Sequence, residues 1–302
     1  MSRFFVAGLI NVETTLAVEK FPIDYNPCNF PFFGIQTTVS GVGFNIAKAL
    51  ASLGNKVDFM SIIGGGNNGV IVRDQLKKCG VSDEFVIDQL AETAQSVILY
   101  DPSGRRQIYT DLKDIQDQVY PESLAENALL ACDLAAICNI NFSRPLLSLA
   151  KQAEKLIATD VHAISSLDDE YNQDYMRQSD ILFMSDESLP ASPKEIAREV
   201  MQRFSPRILV IGMGSKGALL AVQEDDFFGH FPATRTRSVV NTIGAGDALF
   251  SAFLDRYLRT RDPYLALKAG MVFASYKIGE KGAADGFLDG HGLDTWLRKT
   301  AE

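Results

Sequence analysis

Basic clusters, close cysteine pairs and metal-ligand spacings are all missing from this sequence. Its 302 residues include 29 Lys and Arg against 38 Asp and Glu, a formal net charge of −9. No block of Lys or Arg stands out, so the electrostatic footprint of a nucleic-acid-binding protein is missing. The four cysteines have irregular spacings and the three histidines are scattered. Both facts argue against a disulfide framework and against a zinc site.

Long apolar segments are missing as well. The first residues, MSRFFVAGLINVE, lack a long apolar h-region and reach Asn11 and Glu13 too soon for a signal peptide. No apolar run has the length of a membrane span. We therefore expect a cytoplasmic protein without a membrane segment. Hydrophobic residues make up 46% of the chain and charged residues 22%, the balance of an ordinary globular protein.

Apolar strand patterns and helical patterns alternate along the chain. The run from Arg3 to Ile10 predicts a buried parallel strand, and the helical spacing from Phe44 to Leu53 predicts a helix that stops at Gly54. Pro121 predicts the start of another helix. Further strands are predicted at 56–63, 134–140, 156–160, 181–184, 207–211 and 218–222, and further helices at 67–78, 144–153 and 193–204. This order predicts an α/β fold: a mostly parallel, doubly wound sheet with helices on both faces.

Two segments, 12–40 and 93–112, interrupt the alternation. Residues 21–38 are rich in proline and aromatics and predict short irregular strands. Ser96–Tyr100 and Gln107–Asp111 flank the turn sequence DPSG and predict a hairpin. We expect both segments to form a small β lid on a single domain spanning 1–302. An exposed lid edge can pair with a second copy, so the pattern also predicts a homodimer through the lid.

The sequence NTIGAGDALFSAFL at 241–254 carries the strongest chemical signal. Gly244, Ala245 and Gly246 precede a helical apolar pattern, and small residues at a helix start let successive backbone N–H groups converge on an anion. Asp247 falls in the first helical turn. It can take a proton from a hydroxyl while the N–H groups stabilise a transferring phosphoryl group. A tight turn with an acidic residue that favours the helix dipole would show the same pattern.

A second glycine motif occupies residues 40–64, SGVGFNIAKALASLGNKVDFMSIIG, with Asn45 after the first glycines and then Gly54 and Gly64. Together the two stretches resemble the paired signatures of the PfkB carbohydrate kinase family, also called ribokinase-like. The order of elements agrees along the whole chain. The resemblance implies a ribokinase-like fold and transfer of the γ-phosphoryl group of ATP, with Mg²⁺, to a hydroxyl of a small sugar or nucleoside.

The resemblance also implies roles for individual residues. Asp247 would be the base, with its anion hole formed by Gly244, Ala245 and Gly246. Position 13 is usually Asp, and the longer Glu13 requires a smaller or differently seated sugar. The alternative interpretation of positions 11 and 13 is a strand end with solvated polar residues. The implied acceptor contacts are Asn11, Glu13, Gly41, Val42, Asn45 and Asn139. The implied nucleotide contacts are Gly212, Gly214, Ser215 and Gly217, where a following strand argues against a dinucleotide-binding fingerprint.

Two positions depart from the family's pattern. An NxxE motif that orders magnesium through water usually follows the strand at 181–184, but residues 185–188 read Ser-Asp-Glu-Ser. Asp186 or Glu187 would substitute for it, and Glu187 is the candidate metal contact. Asn241 stands where many members have an Asp linked to a monovalent-cation site. The loss of that charge weakens the expectation of activation by potassium.

The acceptor is weakly specified. The sequence GVGFN at 41–45 lacks a lysine common in ribokinases and looks like the form found in pseudouridine kinases and related nucleoside kinases, as does Cys138-Asn139-Ile140. Arg105 and Arg106 at the hairpin end are either phosphate contacts or solvated turn charges. The lid aromatics predict either stacking on a base or a small lid core or dimer contact: Phe21, Tyr25, Phe30, Phe32 and Phe33. We expect a nucleoside or free-sugar kinase, with a phosphosugar kinase and a sugar- or nucleoside-binding sensor as alternatives.

Overall fold

Strands and helices alternate through most of the computed structural model, which describes residues 1–300. The strands are β1 (Arg3–Ala7), β2 (Asn11–Ala17), β3 (Ile35–Ser40), β4 (Lys56–Gly64), β5 (Phe85–Leu90), β6 (Gln95–Tyr100), β7 (Arg106–Asp111), β8 (Leu134–Ile137), β9 (Leu156–Asp160), β10 (Ile181–Ser185), β11 (Ile208–Gly212), β12 (Ala218–Val222) and β13 (Phe227–Phe231). The helices are α1 (Val42–Ser52), α2 (Gly66–Lys78), α3 (Glu122–Ala131), α4 (Arg144–Gln152), α5 (Gln173–Gln178), α6 (Pro193–Arg203), α7 (Ala245–Thr260), α8 (Pro263–Lys277) and α9 (Gly290–Lys299).

Nine strands form the main sheet, in the order β13-β12-β11-β10-β9-β8-β1-β4-β5. Every neighbouring pair from β11 to β5 is parallel, whereas β12 and β13 extend one edge in antiparallel pairing. The carboxyl ends of the parallel strands therefore meet at one edge of the sheet. Ligands of open α/β sheets bind at this edge.

The sheet is buried on both faces, as its continuous apolar strands predict. In β1, Phe4 and Val6 pack into one core with α1, α2, α7 and α8. Phe5 and Ala7 point to the other face and pack with α3, α4, α5 and α6. The predicted α/β class, with helices on both faces of a mostly parallel sheet, is confirmed. Within residues 1–300 no helix combines the length and the apolar character needed to cross a membrane.

A second, four-stranded sheet has the order β3-β2-β6-β7 and draws its strands from the two segments that interrupt the alternation. The pair β2–β6 is parallel and the other pairs are antiparallel, including the predicted β6–β7 hairpin. Asn11, Glu13 and Thr15 on β2 are buried, as are Ser96 and Ile98 on β6. The strand β7 is exposed throughout. The sheet thus has a polar inner face toward the body of the molecule and an outer edge at β7.

Four local predictions differ from the structure. The strand predicted over Arg3–Ile10 ends at Ala7. Residues 21–34 form no strand, because Pro22, Pro27 and Pro31 supply no backbone N–H to a ladder. The strand predicted over 134–140 ends at Ile137, after which the chain turns into α4. Pro121 precedes α3 in an extended conformation and is not part of the helix. Neither β5 nor β13 was predicted.

Candidate active site

Asp247 lies in the first turn of α7 and is 8% exposed. The helix follows directly from Gly244, whose φ of 73° is left-handed. A Cβ at Gly244 would lie 2.4 Å from the backbone oxygen of Ala283, so both the conformation and the close approach require glycine. Gly246 has no such constraint, because a Cβ there would meet only the Oδ2 of Asp160, at 3.8 Å. The predicted anion hole is therefore a helix start with open space beside Gly246.

The two glycine motifs of the sequence meet at this helix start. Asn45 on α1 donates a hydrogen bond from Nδ2 to Oδ2 of Asp247 at 2.7 Å, across 202 positions of chain. The helix α1 starts at Val42 after Gly41, whose φ is 106° and whose Cβ would lie 2.6 Å from the Leu9 oxygen. Glycine at 41 therefore lets α1 approach the end of β1, and this brings Asn45 to the carboxylate.

The environment of Asp247 suits a general base. Burial raises the pKa of its carboxyl, and the nearby Asp160 raises it further, whereas His162, the Asn45 hydrogen bond and Lys277 act in the opposite direction. A base whose pKa is raised toward neutrality binds a proton from a hydroxyl more readily than an ordinary aspartate does. The Asn45 hydrogen bond fixes the orientation of this carboxylate.

Unpartnered acceptor atoms line the inner face of the second sheet. Asn11 donates from Nδ2 to Ser96 Oγ at 3.0 Å, but its Oδ1 is buried without a hydrogen bond. Glu13 is 4% exposed, and its Oε1 is also buried without a partner. Burial raises the Glu13 pKa, opposed by Ser40 and Lys277 and reinforced by Asp247. Buried polar groups are nearly always paired in native proteins, so these two oxygens point to a ligand that donates hydrogen bonds.

Sequence reasoning missed three residues beside Asp247: Asp160, His162 and Lys277. Asp160 ends β9, and its Oδ1 accepts the backbone N–H of His162 at 2.8 Å. Lys277 ends α8 with no exposed surface. The signal for Asp160 was a polar residue at the carboxyl end of a buried parallel strand, where α/β proteins bind ligands. No comparable signal exists for Lys277, since a lysine at a helix C-terminus usually lies in solvent.

The predicted nucleotide segment forms a tight turn between β11 and β12. Met213 N–H donates to the Gly217 oxygen at 2.8 Å, and Ser215 is exposed. Gly217 has a φ of 101°, and a Cβ there would lie 1.9 Å from the Phe231 oxygen, so this glycine is required by packing against β13. Gly212 and Gly214 have open space nearby. Contact of this turn with a nucleotide stays a prediction.

Asn139 and Glu187 lie outside the Asp247 cluster. Asn139 donates to Asn172 Oδ1 at 2.9 Å, and it makes no hydrogen bond to Asp247 or Glu13. The Glu187 carboxylate lies 3.6 Å from Arg106 and is largely exposed. Their acceptor-binding and metal-binding roles stay predictions.

The chain is similar to known proteins along most of its length. The sequence model of the pfkB family carbohydrate kinases matches residues 1–289. The ATP-dependent ribose-1-phosphate kinase of Halopiger xanaduensis is 25% identical over 287 residues, 94% of this chain and 94% of its own length. The guanosine-inosine kinase of Exiguobacterium acetylicum is 27% identical over 270 residues, 82% of this chain and 87% of its own length.

Solved structures share the fold. A microbiome-derived acarbose kinase superposes with a TM-score of 0.88 at 24% identity, covering 98% of this chain and 99% of that chain. Arabidopsis thaliana ribokinase complexed with ribose and ATP gives a TM-score of 0.81 at 18% identity, covering 98% and 99%. The ribokinase-like fold is confirmed, but these names do not single out a nucleoside branch. Because the family match spans nearly the whole sequence, the chain belongs to the pfkB family of carbohydrate kinases, phosphotransferases that act on a hydroxyl group.

Proposed function

We propose that this protein transfers the γ-phosphoryl group of ATP to a hydroxyl of a small sugar or nucleoside, with Asp247 as the base. The observation that carries the proposal is a buried carboxylate of raised pKa at a glycine-rich helix start. Asn45 orients it, and the same helix start supplies backbone N–H groups for an anion. A base and an anion site side by side are what phosphoryl transfer to a hydroxyl requires.

The reaction uses the two oxygens of Asp247 differently. The Asn45 hydrogen bond holds Oδ2, which leaves Oδ1 to accept the proton of the acceptor hydroxyl. The acceptor oxygen bonds to the γ-phosphorus as the bond to the β,γ-bridging oxygen breaks, and ADP leaves with the bonding electrons. The helix start that follows Gly244 would stabilise the negative charge on the transferring group through its N–H groups and dipole.

The inner face of the second sheet supports an acceptor with neighbouring hydroxyls. Asn11 Oδ1 and Glu13 Oε1 are both buried acceptors without partners, and both lie on β2 at alternate positions of one face. Two hydroxyls of one sugar ring would satisfy both atoms. Ribose is common to the named substrates of the two relatives above, so we propose a ribose-like ring as the acceptor.

The aromatic residues of the lid segment give no support to base stacking. Tyr25, Phe30, Phe32 and Phe33 are all more than two thirds exposed and form no lid core. Phe21 lies under the Arg105 guanidinium, 5.8 Å from its ring centroid. The choice between a nucleoside and a free sugar therefore rests on the substrate test and not on these rings.

One observation favours a second candidate, a phosphosugar kinase. Arg105 is bound to Asp101, but Arg106 on β7 donates from Nη1 to Thr242 Oγ1 at 2.8 Å. This guanidinium therefore lies beside the loop that leads into α7, although β7 itself faces solvent. It could bind the phosphate of a phosphorylated sugar in place of Thr242.

Magnesium would be carried by the ATP phosphates, since Mg²⁺ usually keeps several waters and takes only one or two protein carboxylates. Among residues 1–300 no three His, Cys, Asp or Glu side chains group closely enough to hold a metal by themselves. The Asp160 carboxylate faces Gly246 and is mostly buried, so it is the protein ligand that fits best, with Glu187 second. Bound there, the ion would neutralise negative charge on the phosphates.

The test is ADP release with Mg-ATP over a panel of nucleosides, free pentoses and hexoses, and their phosphates. Asp247→Asn should lower turnover of the best acceptor by about 10²–10⁴-fold with little change in ATP affinity, because a positioned base contributes that factor. Asp74→Asn, an exposed change on α2, is the matched control. Near-normal turnover in Asp247→Asn refutes the mechanism. Acceptor binding by wild type in a thermal-shift panel without any turnover identifies a sensor.

A further inference from the structure

Lys277 is a fully buried lysine that the reaction above does not use. It is the last residue of α8, it has no exposed surface, and its Nζ donates to the backbone oxygen of Ile243. Burying an ammonium group is costly unless its environment compensates. Burial lowers the Lys277 pKa to about 8, against the opposing influence of four carboxylates: Asp247, Asp285, Glu13 and Glu280.

The Lys277 hydrogen bond to the Ile243 oxygen matters because this oxygen belongs to the peptide that joins Ile243 to Gly244. In a trans peptide the C=O of Ile243 and the N–H of Gly244 point in opposite directions. Holding the oxygen on Lys277 therefore aims the Gly244 N–H away from the Lys277 ammonium group. On its other side, Ile243 donates its own N–H to Asn241 Oδ1 at 3.0 Å, and Asn241 Nδ2 donates to the Lys281 oxygen at 2.7 Å. Both polar backbone groups of Ile243 are thus fixed by side chains.

The same loop touches the second sheet. The Ile243 side chain packs with Ile98 of β6 and with Ala283. Thr242 accepts the Arg106 hydrogen bond from β7. Residues 241–244 are therefore where the second sheet, α8 and the start of α7 come together, and Lys277 is the charged side chain bound to the loop from within the body of the molecule.

We propose that Lys277 is a positioning residue for phosphoryl transfer: its ammonium group fixes the 241–244 loop so that the helix start at 244–247 faces the transferring phosphoryl group. Its charge also lies among the acceptor-side Glu13 and the base Asp247. This inference rests on the proposed kinase function. That function needs the 241–244 loop in one geometry, and we infer that the buried Lys277 ammonium group maintains it.

Removal of a purely structural lysine should lower the stability of the fold, whereas removal of a positioning lysine should lower kcat. A group whose pKa is lower in the folded state than in the unfolded chain opposes folding whenever it is charged. Replacing Lys277 by methionine keeps the apolar stem and removes the charged nitrogen that bonds to the Ile243 oxygen. The variant regains the cost of the buried charge but loses the hydrogen bond to the Ile243 oxygen, so its melting temperature should change little while its kcat falls. A side chain that served only the fold would show the reverse.

The experiment measures kcat, KM for ATP and for the best acceptor, and melting temperature for Lys277→Met, Lys277→Arg and Lys277→Ala. Lys268→Met, an exposed change on the same helix, is the control. We expect Lys277→Met to lower kcat by about ten- to a hundredfold, since small displacements of a transfer site cost factors of this size, with KM for ATP nearly unchanged. Methylammonium added to Lys277→Ala should restore part of the lost kcat.

The pH profile supplies a further readout. Wild-type kcat should fall as pH rises through about 8, because Lys277 loses its charge there. Lys277→Arg keeps its charge, so the fall should move to higher pH. The proposal is overturned if Lys277→Met retains wild-type kcat, or if it loses kcat only together with its melting temperature and without methylammonium rescue. Full activity of Lys277→Met beside an inactive Asp247→Asn refutes this inference alone, whereas full activity of both refutes the kinase mechanism.

Discussion

Replacement of Glu13 by glutamine tests the acceptor side of the site. Glu13 lies on β2, opposite Thr38 of β3 and Ser96 of β6, and only 4% of it is exposed. Its Oε1 has no partner within the protein. An acceptor hydroxyl that donates to this oxygen would form a charge-assisted hydrogen bond, and glutamine has the same shape without the charge.

The expected loss of acceptor affinity in Glu13→Gln follows from the loss of that hydrogen bond. A hydrogen bond to a charged group contributes about 1.5–3 kcal/mol, which is roughly ten- to a hundredfold in acceptor affinity. The free energy of unfolding should not fall in Glu13→Gln. Because burial raises the folded pKa of Glu13 above its unfolded value, the native state holds this proton more tightly, and the charged form opposes folding above that pKa. The neutral glutamine avoids this cost at neutral pH.

The assay compares acceptor and ATP constants for wild type, Glu13→Gln and the exposed control Glu19→Gln. We expect the acceptor constant to weaken only in Glu13→Gln and the ATP constant to stay unchanged. A deoxy analogue that lacks the bridged hydroxyl should be discriminated against by wild type and far less by Glu13→Gln. Glu13→Asp, which has the residue usual in the family, should shift the preference toward a larger or differently seated sugar. Equal losses for the deoxy analogue in wild type and Glu13→Gln would show that Glu13 does not touch the acceptor.

Two other expectations concern the glycines and the second sheet. Gly244→Ala should lower the free energy of unfolding by about 1–2 kcal/mol from its left-handed φ alone, and more from the contact with Ala283. Gly246→Ala should instead lower turnover with little loss of stability in denaturant melts; equal losses of stability in the two variants would contradict this assignment. Hydrogen exchange over 12–40 and 93–112 should slow when acceptor and a non-hydrolysable ATP analogue are bound together, as a closing lid requires. Protection confined to other segments would show that these residues form no lid.

The sequence by itself was sufficient to predict the layered fold. Strands buried on both faces need continuous apolar runs, and a helix that stops at glycine uses its positive φ, so the first strand and the helix that ends before Gly54 could be predicted from the sequence alone. The GAGD sequence likewise predicted the helix start after Gly244, whereas its binding of an anion stays a prediction. These features are local, because each depends on the covalent properties of a few neighbouring residues. The irregular segment 21–34 was misjudged because aromatic residues suggested strands that its prolines do not allow.

Which polar side chains are buried away from solvent was decided only by the tertiary structure. The Asn45 to Asp247 hydrogen bond joins residues 202 positions apart. Glu13 looks like a solvated strand end in the sequence, yet the second sheet buries it against the body of the molecule. Lys277 looks like an ordinary helix-terminal lysine, yet after folding α8 packs against α7 and its last residue meets the 241–244 loop, which removes the ammonium group from solvent. Burial, and with it the raised pKa of Asp247 and the lowered pKa of Lys277, is a property of chain segments brought together from a distance, which no local pattern encodes.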